Sequence, residues 1–240
     1  GCADGKTEVT PSVENKTSVA PSADAQRGGG KPYEILGSEV WDINDPDSER
    51  HYQVFVALPK SYAGNSSKRF PVLYITDADY GFPIIRNISR RLNVGEDKLQ
   101  EFIVVGLSYA VGEDSMASRR RDYTPTTAGA HDAPADAIHG EALSYINYLQ
   151  DTVFPFIASK YRTDENKRLY VGHSYGGLLG AQILFTTPEL FSGYILGSPS
   201  LWYDGSVMEN YEKAYAKNHH DLPATVYIYV GEYEDMKPGD

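Results

Sequence analysis

Cysteine is almost absent from this sequence, since Cys2 is the only one among 240 residues. An internal disulfide and a cysteine-rich metal site are therefore both excluded. Long apolar runs are absent as well, and none approaches the ~18 residues that a membrane-spanning helix requires. The length suits one large α/β domain with a sizeable core.

Positive charge is also scarce. The chain has 22 Lys and Arg residues but 33 Asp and Glu residues, which gives a formal net charge of −11. The one dense basic cluster, residues 119–121, is too short to form a face that holds a polyanion. Nucleic acid is therefore not an expected partner. Tyrosine is abundant, with 19 residues, which suits either a surface for sugars and aromatic ligands or plain core packing.

The start of the chain suggests a lipid anchor. Cys2 stands in a Gly-Cys-Ala-Asp sequence that resembles the end of a bacterial lipobox, and residues 3–31 are rich in small and polar residues. Such a composition cannot bury a core and is typical of a flexible tether. We expect a tether over residues 1–31, a folded domain over 32–240, and a lipid on Cys2 that holds the protein at the bacterial cell envelope. A cysteine without lipid, in a cytoplasmic protein, is the alternative.

Hydrophobic periodicity predicts alternating strands and helices. Strands are expected over 33–41, 51–59, 70–76, 102–107, 168–171, 192–197 and 225–230, and helices over 82–92, 137–161, 177–184 and 207–217. Two antiparallel strands followed by βαβ units are typical of the α/β-hydrolase fold, with a mixed, mostly parallel sheet and an antiparallel N-terminal hairpin. We expect this domain to be C-terminally incomplete, since the last helix and strand of that fold have no counterpart before Asp240.

Residues 172–176 read Gly-His-Ser-Tyr-Gly between a predicted strand and a predicted helix. This is the Gly-x-Ser-x-Gly pattern of a nucleophile elbow. The turn is so sharp that Gly172 and Gly176 must lack a Cβ for strand and helix to approach each other. Ser174 is therefore the predicted nucleophile.

An elbow serine needs a base and an acid, usually in the chain order Ser, Asp or Glu, His. The acid is expected after the strand 225–230, where Glu234 is the first choice, Glu232 the second and Asp235 a third. No histidine follows Glu234, so we expect the base beyond Asp240, with a substitute base as the alternative. The six histidines of the chain lie elsewhere: His51, His131, His139, His173, His219 and His220.

Two backbone N–H groups are predicted to bind the developing oxyanion. Tyr175 N–H is one, because it lies at the N-terminus of the helix after the elbow. The other is expected in the loop after the strand 70–76, at Ala78 or Asp79. The carboxylates of that loop are not expected to act as bases, since a carboxylate facing the oxyanion would oppose its formation.

Five segments together resemble the "Putative esterase" family of α/β-hydrolases, which includes siderophore esterases, S-formylglutathione hydrolases and feruloyl or acetyl-xylan esterases. The segments are residues 71–79, 119–126, 172–177, 198–202 and 231–234. The motifs Arg-Asp-x-Thr-Pro-Thr and Ser-Pro-Ser-Leu-Trp are most similar to the siderophore-esterase branch. The resemblance implies that Arg121, Ser200 and Trp202 line the substrate pocket. Pairing of Arg121 with Asp122 and core packing of Ser200 and Trp202 are the alternatives.

The sequence thus predicts a serine carboxylic-ester hydrolase that works through an acyl-enzyme on Ser174 and needs no metal or cofactor. The expected partner is a small-molecule ester, either a siderophore or a polysaccharide-linked ester, and the membrane is contacted only through Cys2. A catalytically dead binding protein and an acyltransferase are the alternatives, because fold does not fix function.

Overall fold

A computed structural model of the chain describes residues 26–95 and 98–234. The chain divides into two units, residues 1–34 and 35–240. Cys2, most of the predicted tether and Asp235 lie outside the described residues, so the domain boundary at residue 31 stays a prediction. No helix in the described part of the chain is both long and apolar enough to cross a membrane.

Seven strands of the second unit form one sheet in the order β1-β2-β4-β3-β5-β6-β7. β1 pairs antiparallel with β2 and β2 with β4, whereas the pairs β4/β3, β3/β5, β5/β6 and β6/β7 are parallel. The predicted mixed sheet with an antiparallel N-terminal hairpin is thus confirmed. The strands are β1 Ser38–Asp42, β2 Tyr52–Ala57, β3 Phe70–Ile75, β4 Ile103–Ala110, β5 Thr163–His173, β6 Gly193–Gly197 and β7 Thr225–Tyr229.

Helices connect the parallel strands, as the βαβ pattern predicts. They are α1 Ala78–Leu92, α2 Ser115–Tyr123, α3 Ala142–Tyr148, α4 Phe154–Lys160, α5 Tyr175–Thr186, the short α6 Tyr203–Ser206 and α7 Met208–Asn218, with a 3-10 turn at Pro188–Leu190. α1 follows β3 and α5 follows β5, so both helices begin at the carboxyl edge of the sheet. That edge is where open α/β sheets carry their sites.

The helix predicted over 137–161 is shorter and less regular than expected. It begins at Ala142 because Gly140 adopts φ 87°, a conformation outside the helical region. Between α3 and α4 the chain forms a π-helical segment, Leu149–Val153. Pro155 follows it, and since proline has no N–H to donate to the carbonyl of Asp151, the regular ladder cannot pass through this point.

α2 is a helix that the sequence pattern did not predict. Its residues Ser115–Tyr123 are mostly polar and carry no apolar stripe. The helix is instead started by Asp114, whose carboxylate accepts a hydrogen bond from Ala117 N–H at 3.0 Å. Such an N-cap satisfies a donor that the first turn leaves unpaired. This helix carries three consecutive arginines, of which Arg119 lies beside the predicted elbow.

The core of the sheet contains many tyrosines. All six residues of β3 are buried, and the fully buried tyrosines are Tyr74, Tyr123, Tyr170, Tyr194 and Tyr203. Their rings pack edge to face or tilted against one another and against phenylalanines, as Tyr170 does with Phe191 at 5.2 Å. Part of the tyrosine content is therefore core packing beneath the carboxyl edge of the sheet.

Candidate active site

Ser174 lies between the end of β5 and the start of α5, half-buried, with φ 56° and ψ −117°. A positive φ at a residue with a Cβ is strained, and such strain persists only where the surrounding structure fixes it. Ser174 N–H donates to Gly197 O at 2.9 Å, and Leu178 N–H donates to Ser174 O at 3.0 Å. The backbone of the serine is therefore fixed on both sides of the turn.

Two glycines make this turn possible. A Cβ on Gly172 would overlap the carbonyl group of Gly176 and lie 2.9 Å from a ring carbon of Tyr170. A Cβ on Gly176 would overlap the hydroxyl of Thr76. The strand, the helix and the neighbouring β3 therefore approach too closely for any larger residue, which is the geometry expected of an elbow.

Ser200 is the nearest side-chain partner of the predicted nucleophile. Its Oγ lies 3.3 Å from Ser174 Oγ, and Ser200 is buried, with 3% of its surface exposed. Ser200 N–H also donates to Ser174 O at 3.2 Å. The loop after β6 is thus bound to the elbow through both backbone and side chain, which brings together two of the predicted site residues.

The two predicted oxyanion donors are each the first residue of a helix. Tyr175 begins α5 and Ala78 begins α1, so neither N–H has an acceptor within its own helix. The preceding strands β5 and β3 are neighbours, and Thr76 N–H donates to Val171 O at 3.1 Å. Two helix N-termini, each a source of partial positive charge, therefore lie side by side at the sheet edge.

Asp77 and Arg119 form a buried ion pair beside these donors that sequence reasoning missed. Arg119 Nε donates to Asp77 Oδ1 at 2.9 Å and Nη2 donates to Oδ2 at 3.2 Å. Tyr109 Oη donates to Oδ1 at 2.7 Å. Arg119 also lies over the ring of Tyr175, 5.2 Å from its centroid.

The surroundings of Asp77 shift several ionisation equilibria. Burial lowers the pKa of Arg119, but its hydrogen bonds to Asp77 more than offset this, so the net pKa is raised. Burial, together with the hydrogen bond to Asp77, raises the pKa of Tyr109. Arg119 is therefore charged and Tyr109 neutral near pH 7.

Arg121, the predicted pocket residue, is 5% exposed and is held by carboxylates. Its Nε and Nη2 donate to Asp122 at 2.8 and 3.1 Å, and its Nη1 donates to Glu113 at 2.5 Å. The pairing with Asp122, which was the alternative, is therefore present. Contact of Arg121 with substrate stays a prediction, and within α2 it is Arg119 that lies next to the elbow.

Trp202 is 60% exposed, so it does not belong to the core. Its ring lies 6.2 Å from that of Tyr175 and 6.4 Å from that of Tyr203. The exposed indole thus lies next to the ring of Tyr175, the predicted oxyanion donor. Binding of substrate by Trp202 stays a prediction.

The predicted acid Glu234 lies in the exposed turn after β7. Its carboxylate accepts hydrogen bonds from Ser198 Oγ and from Gly231 N–H, the latter at 3.2 Å. Ser198 follows β6, so Glu234 is held at the same sheet edge as the elbow. Glu232 is exposed in this turn, and the role of either glutamate stays a prediction.

The general base is the role that the described residues leave unassigned. All six histidines are described, and none forms a hydrogen bond with Ser174 or Glu234. His173 is exposed within the elbow, and His219 stacks on Tyr215 at 4.1 Å, remote from the site. His139 is buried against Tyr203, with their rings 6.2 Å apart.

Among residues 26–95 and 98–234, no three His, Cys, Asp or Glu side chains come close enough together to hold a metal ion. The residues at this sheet edge provide a serine hydroxyl on a strained backbone, two free helix N-termini and a buried, neutralised carboxylate. Together they suit acyl transfer through a tetrahedral oxyanion.

Comparison with known proteins agrees with this geometry. Residues 46–238 match the family described as "Putative esterase". The ferri-bacillibactin esterase BesA of Bacillus subtilis is 27% identical over 225 residues, which cover 89% of this chain and 76% of the relative. The siderophore triacetylfusarinine C esterase of Aspergillus fumigatus is 28% identical over 215 residues, covering 86% of this chain and 72% of the relative.

Solved structures share the fold. The BES protein from Bacillus cereus superposes with a TM-score of 0.75 at 24% identity, covering 85% of this chain and 79% of that one. The siderophore hydrolase EstB from Aspergillus nidulans superposes with a TM-score of 0.74 at 26% identity, covering 88% and 74%. Because the family match spans most of the sequence and these relatives are esterases by name, the chain belongs to the "Putative esterase" family of α/β-hydrolases and is a serine esterase.

Proposed function

We propose that this esterase hydrolyses the ester bonds of siderophores, with Ser174 as the nucleophile. The observation that carries the proposal is the strained Ser174 at the β5–α5 junction, next to two free helix N-termini. The general base takes the hydroxyl proton of Ser174 as Oγ attacks the ester carbonyl carbon, and it gives that proton to the alcohol that leaves when the tetrahedral intermediate collapses. Water then attacks the acyl-enzyme, releases the acid and restores the serine hydroxyl.

In this proposal the intermediate's oxyanion accepts hydrogen bonds from Tyr175 N–H and Ala78 N–H. The proposal is supported by the position of both residues at the start of a helix, where an N–H group needs no reorganisation when charge develops. Glu234 is the group that orients the general base, supported by its position after β7 at the sheet edge of the elbow. Ser200 positions the hydroxyl of Ser174.

The substrate class is supported by the named relatives and by the exposed indole of Trp202. Two relatives at 27% and 28% identity are called esterases of ferri-bacillibactin and of triacetylfusarinine C. A flat aromatic face beside the nucleophile suits a substrate with aromatic or ring-shaped parts. We therefore expect siderophore esters to be hydrolysed in preference to polysaccharide-linked feruloyl esters.

The test compares substrates on the natural full-length protein. The protein is incubated in parallel with bacillibactin and triacetylfusarinine C, each with and without iron, and with p-nitrophenyl acetate and a feruloyl sugar. The products are separated by chromatography and identified by mass spectrometry. Ser174→Ala is expected to abolish turnover, while Ser192→Ala, a remote serine bonded to Arg168 O, leaves it unchanged. Trp202→Ala is expected to raise KM for siderophores more than for the acetate.

The other outcomes separate the alternatives. Hydrolysis of the feruloyl sugar alone would reassign the substrate to plant polysaccharide esters. Acyl transfer to an added alcohol in place of water would make the protein an acyltransferase. Binding of a siderophore without any turnover would indicate a catalytically inactive binding protein.

For location, we propose attachment to the bacterial cell envelope through a lipid on Cys2, supported by the polar composition of residues 3–31. The full-length protein is expected to partition into the detergent phase of Triton X-114 and to incorporate a labelled fatty acid. Cys2→Ser is expected to remove both properties. A cytoplasmic protein would remain in the aqueous phase with or without the substitution.

A further inference from the structure

Asp77 places a negative charge where the proposed hydrolysis tolerates it least. Its side chain is 2% exposed and it immediately precedes Ala78, one of the predicted oxyanion donors. Its Oδ2 also lies against α5, because a Cβ on Gly176 would be only 3.4 Å from it. The carboxylate is thus adjacent to the first turns of both helices that carry the predicted oxyanion donors.

An unpaired carboxylate in this position would be harmful in two ways. A buried charge without a partner is costly to the fold, and a negative charge beside a developing oxyanion raises the energy of the intermediate. The partial positive charge of the α5 N-terminus would also be shared between Asp77 and the oxyanion. The carboxylate therefore has to be neutralised without blocking the site.

Arg119 supplies this neutralisation from α2. Its guanidinium binds both oxygens of Asp77, at 2.9 and 3.2 Å, in the bidentate geometry that gives strong, directional pairs. The same group donates from Nη2 to His173 O at 3.5 Å and lies over the ring of Tyr175. One side chain thus contacts the residue before Ala78, the residue before Ser174 and the second donor residue itself.

We propose that Arg119 is a positioning residue of the ester hydrolysis, which cancels the charge of Asp77 and holds the N-termini of α1 and α5 together around the oxyanion. This inference rests on the proposed function of Ser174. Arg119 acts through Asp77 and the elbow backbone, and the substrate is not one of its contacts. Arg121 does not share these contacts, because its guanidinium is held by Asp122 and Glu113.

The test is a charge cycle on the natural full-length protein, with kcat and KM measured for p-nitrophenyl acetate. Arg119→Gln is expected to lower kcat on the order of 30- to 100-fold, less than the roughly 100- to 1,000-fold cost of losing an oxyanion donor outright, while KM changes less than about three-fold. Arg119→Lys is expected to recover part of the loss, since it restores the charge but not the fork.

The double variant Arg119→Gln/Asp77→Asn is the decisive measurement. Asparagine tolerates the left-handed conformation of Asp77, which has φ 52° and ψ 45°, so the backbone is kept while the charge is removed. If charge cancellation is the role of Arg119, the double variant regains kcat to within about five-fold of the parent. Asp77→Asn alone is expected to keep kcat within about three-fold, because it leaves no anion to oppose the intermediate.

A double variant no faster than Arg119→Gln would overturn the proposal, as would a rise in KM at constant kcat, which would make Arg119 a substrate-binding group. Arg69→Gln, a remote arginine that donates to Thr163 O at 3.2 Å, is the matched control for loss of a guanidinium. If Arg119→Gln does not fold, a large fall in kcat for Asp77→Asn alone would reject charge cancellation.

Turnover that survives Ser174→Ala removes the proposed function and the role of Arg119 together. Ser174-dependent turnover unaffected by Arg119→Gln removes the role of Arg119 alone.

Discussion

The hydroxyl of Ser200 lies 3.3 Å from that of Ser174, and its backbone N–H is bonded to the carbonyl of the same serine. The second contact fixes the position of the loop, so removal of the hydroxyl changes the side-chain contact alone. Ser200 thus offers a way to disturb the orientation of the predicted nucleophile without disturbing the elbow.

Ser200→Ala is expected to lower kcat about five-fold, equivalent to the ~1 kcal/mol of one neutral hydrogen bond, with little change in KM. The alanine leaves Ser174 Oγ free to rotate among its rotamers. Steady-state kinetics with an aryl ester measure the effect, and Ser192→Ala is again the remote control. An unchanged or higher kcat would mean that Ser200 does not orient the nucleophile.

Gly172→Ala is expected to lower the free energy of unfolding by about 2–4 kcal/mol, because its methyl group would overlap the carbonyl of Gly176. Urea denaturation measures the change. Gly64→Ala is the matched control, since a Cβ there meets only Ser61 O, at an ordinary 3.8 Å. Equal stability of the two variants would contradict the close approach of β5 and α5.

Arg121→Met is expected to destabilise the fold by about 3–5 kcal/mol, because it leaves the carboxylate of Asp122 buried without its bidentate partner. The additional change Asp122→Asn is expected to recover most of this loss. Lys213→Met breaks an exposed pair with Glu209 at 3.5 Å and should leave stability unchanged. A normal stability with a raised KM would instead support the substrate-binding role that the family resemblance implies for Arg121.

Glu101→Gln is expected to reduce stability by about 1 kcal/mol at pH 7 and by less near pH 3. Burial raises the pKa of Glu101, but the hydrogen bonds from Ser61 N–H and Oγ together lower it by more than burial raises it. The folded pKa therefore lies below the ordinary 4.5. The stability that the carboxylate contributes is therefore present above pH 4.5 and is lost as pH falls through the folded pKa. Urea denaturation at pH 7, 5 and 3 measures the difference, and a loss that grows on acidification would reverse the assigned sign.

The elbow and the sheet could be predicted from sequence because their causes are local. The sharp turn at Ser174 requires residues without a Cβ at positions 172 and 176, so its sequence signal lies within five residues. The strands β3 and β4 are apolar runs bounded by polar loops. The two oxyanion donors follow from the same logic, since a helix N-terminus directly after a strand leaves N–H groups free.

The choice among Arg119, Arg120 and Arg121 could not be made from sequence. Successive residues of a helix point about 100° apart, and α2 has no apolar stripe that would fix which side faces the sheet. Its orientation is set by partners outside the helix, Asp77 for Arg119 and Glu113 for Arg121. The family motif identified the segment but did not identify the arginine beside the elbow.

The start of the helix after Gly140 was missed for a similar reason. Its apolar residues continue the helical spacing back to Ile138, yet Gly140 takes a positive φ and donates its N–H to Thr124 Oγ1 at 2.9 Å. This contact with the segment after α2 outweighs the local preference of residues 137–141. Periodicity alone carries no sign of it.

The pairing of β5 with β3 also determines when a working site can first exist. β3 is enclosed by β4 and β5, and its register joins Phe70 to Thr163 and Ile75 to Val171. During synthesis on the ribosome the serine strand leaves the exit tunnel long after its neighbour, and such non-local parallel pairing closes slowly. Until β5 arrives, β3 keeps one unpaired edge, and an exposed apolar edge of this kind favours aggregation of the nascent chain.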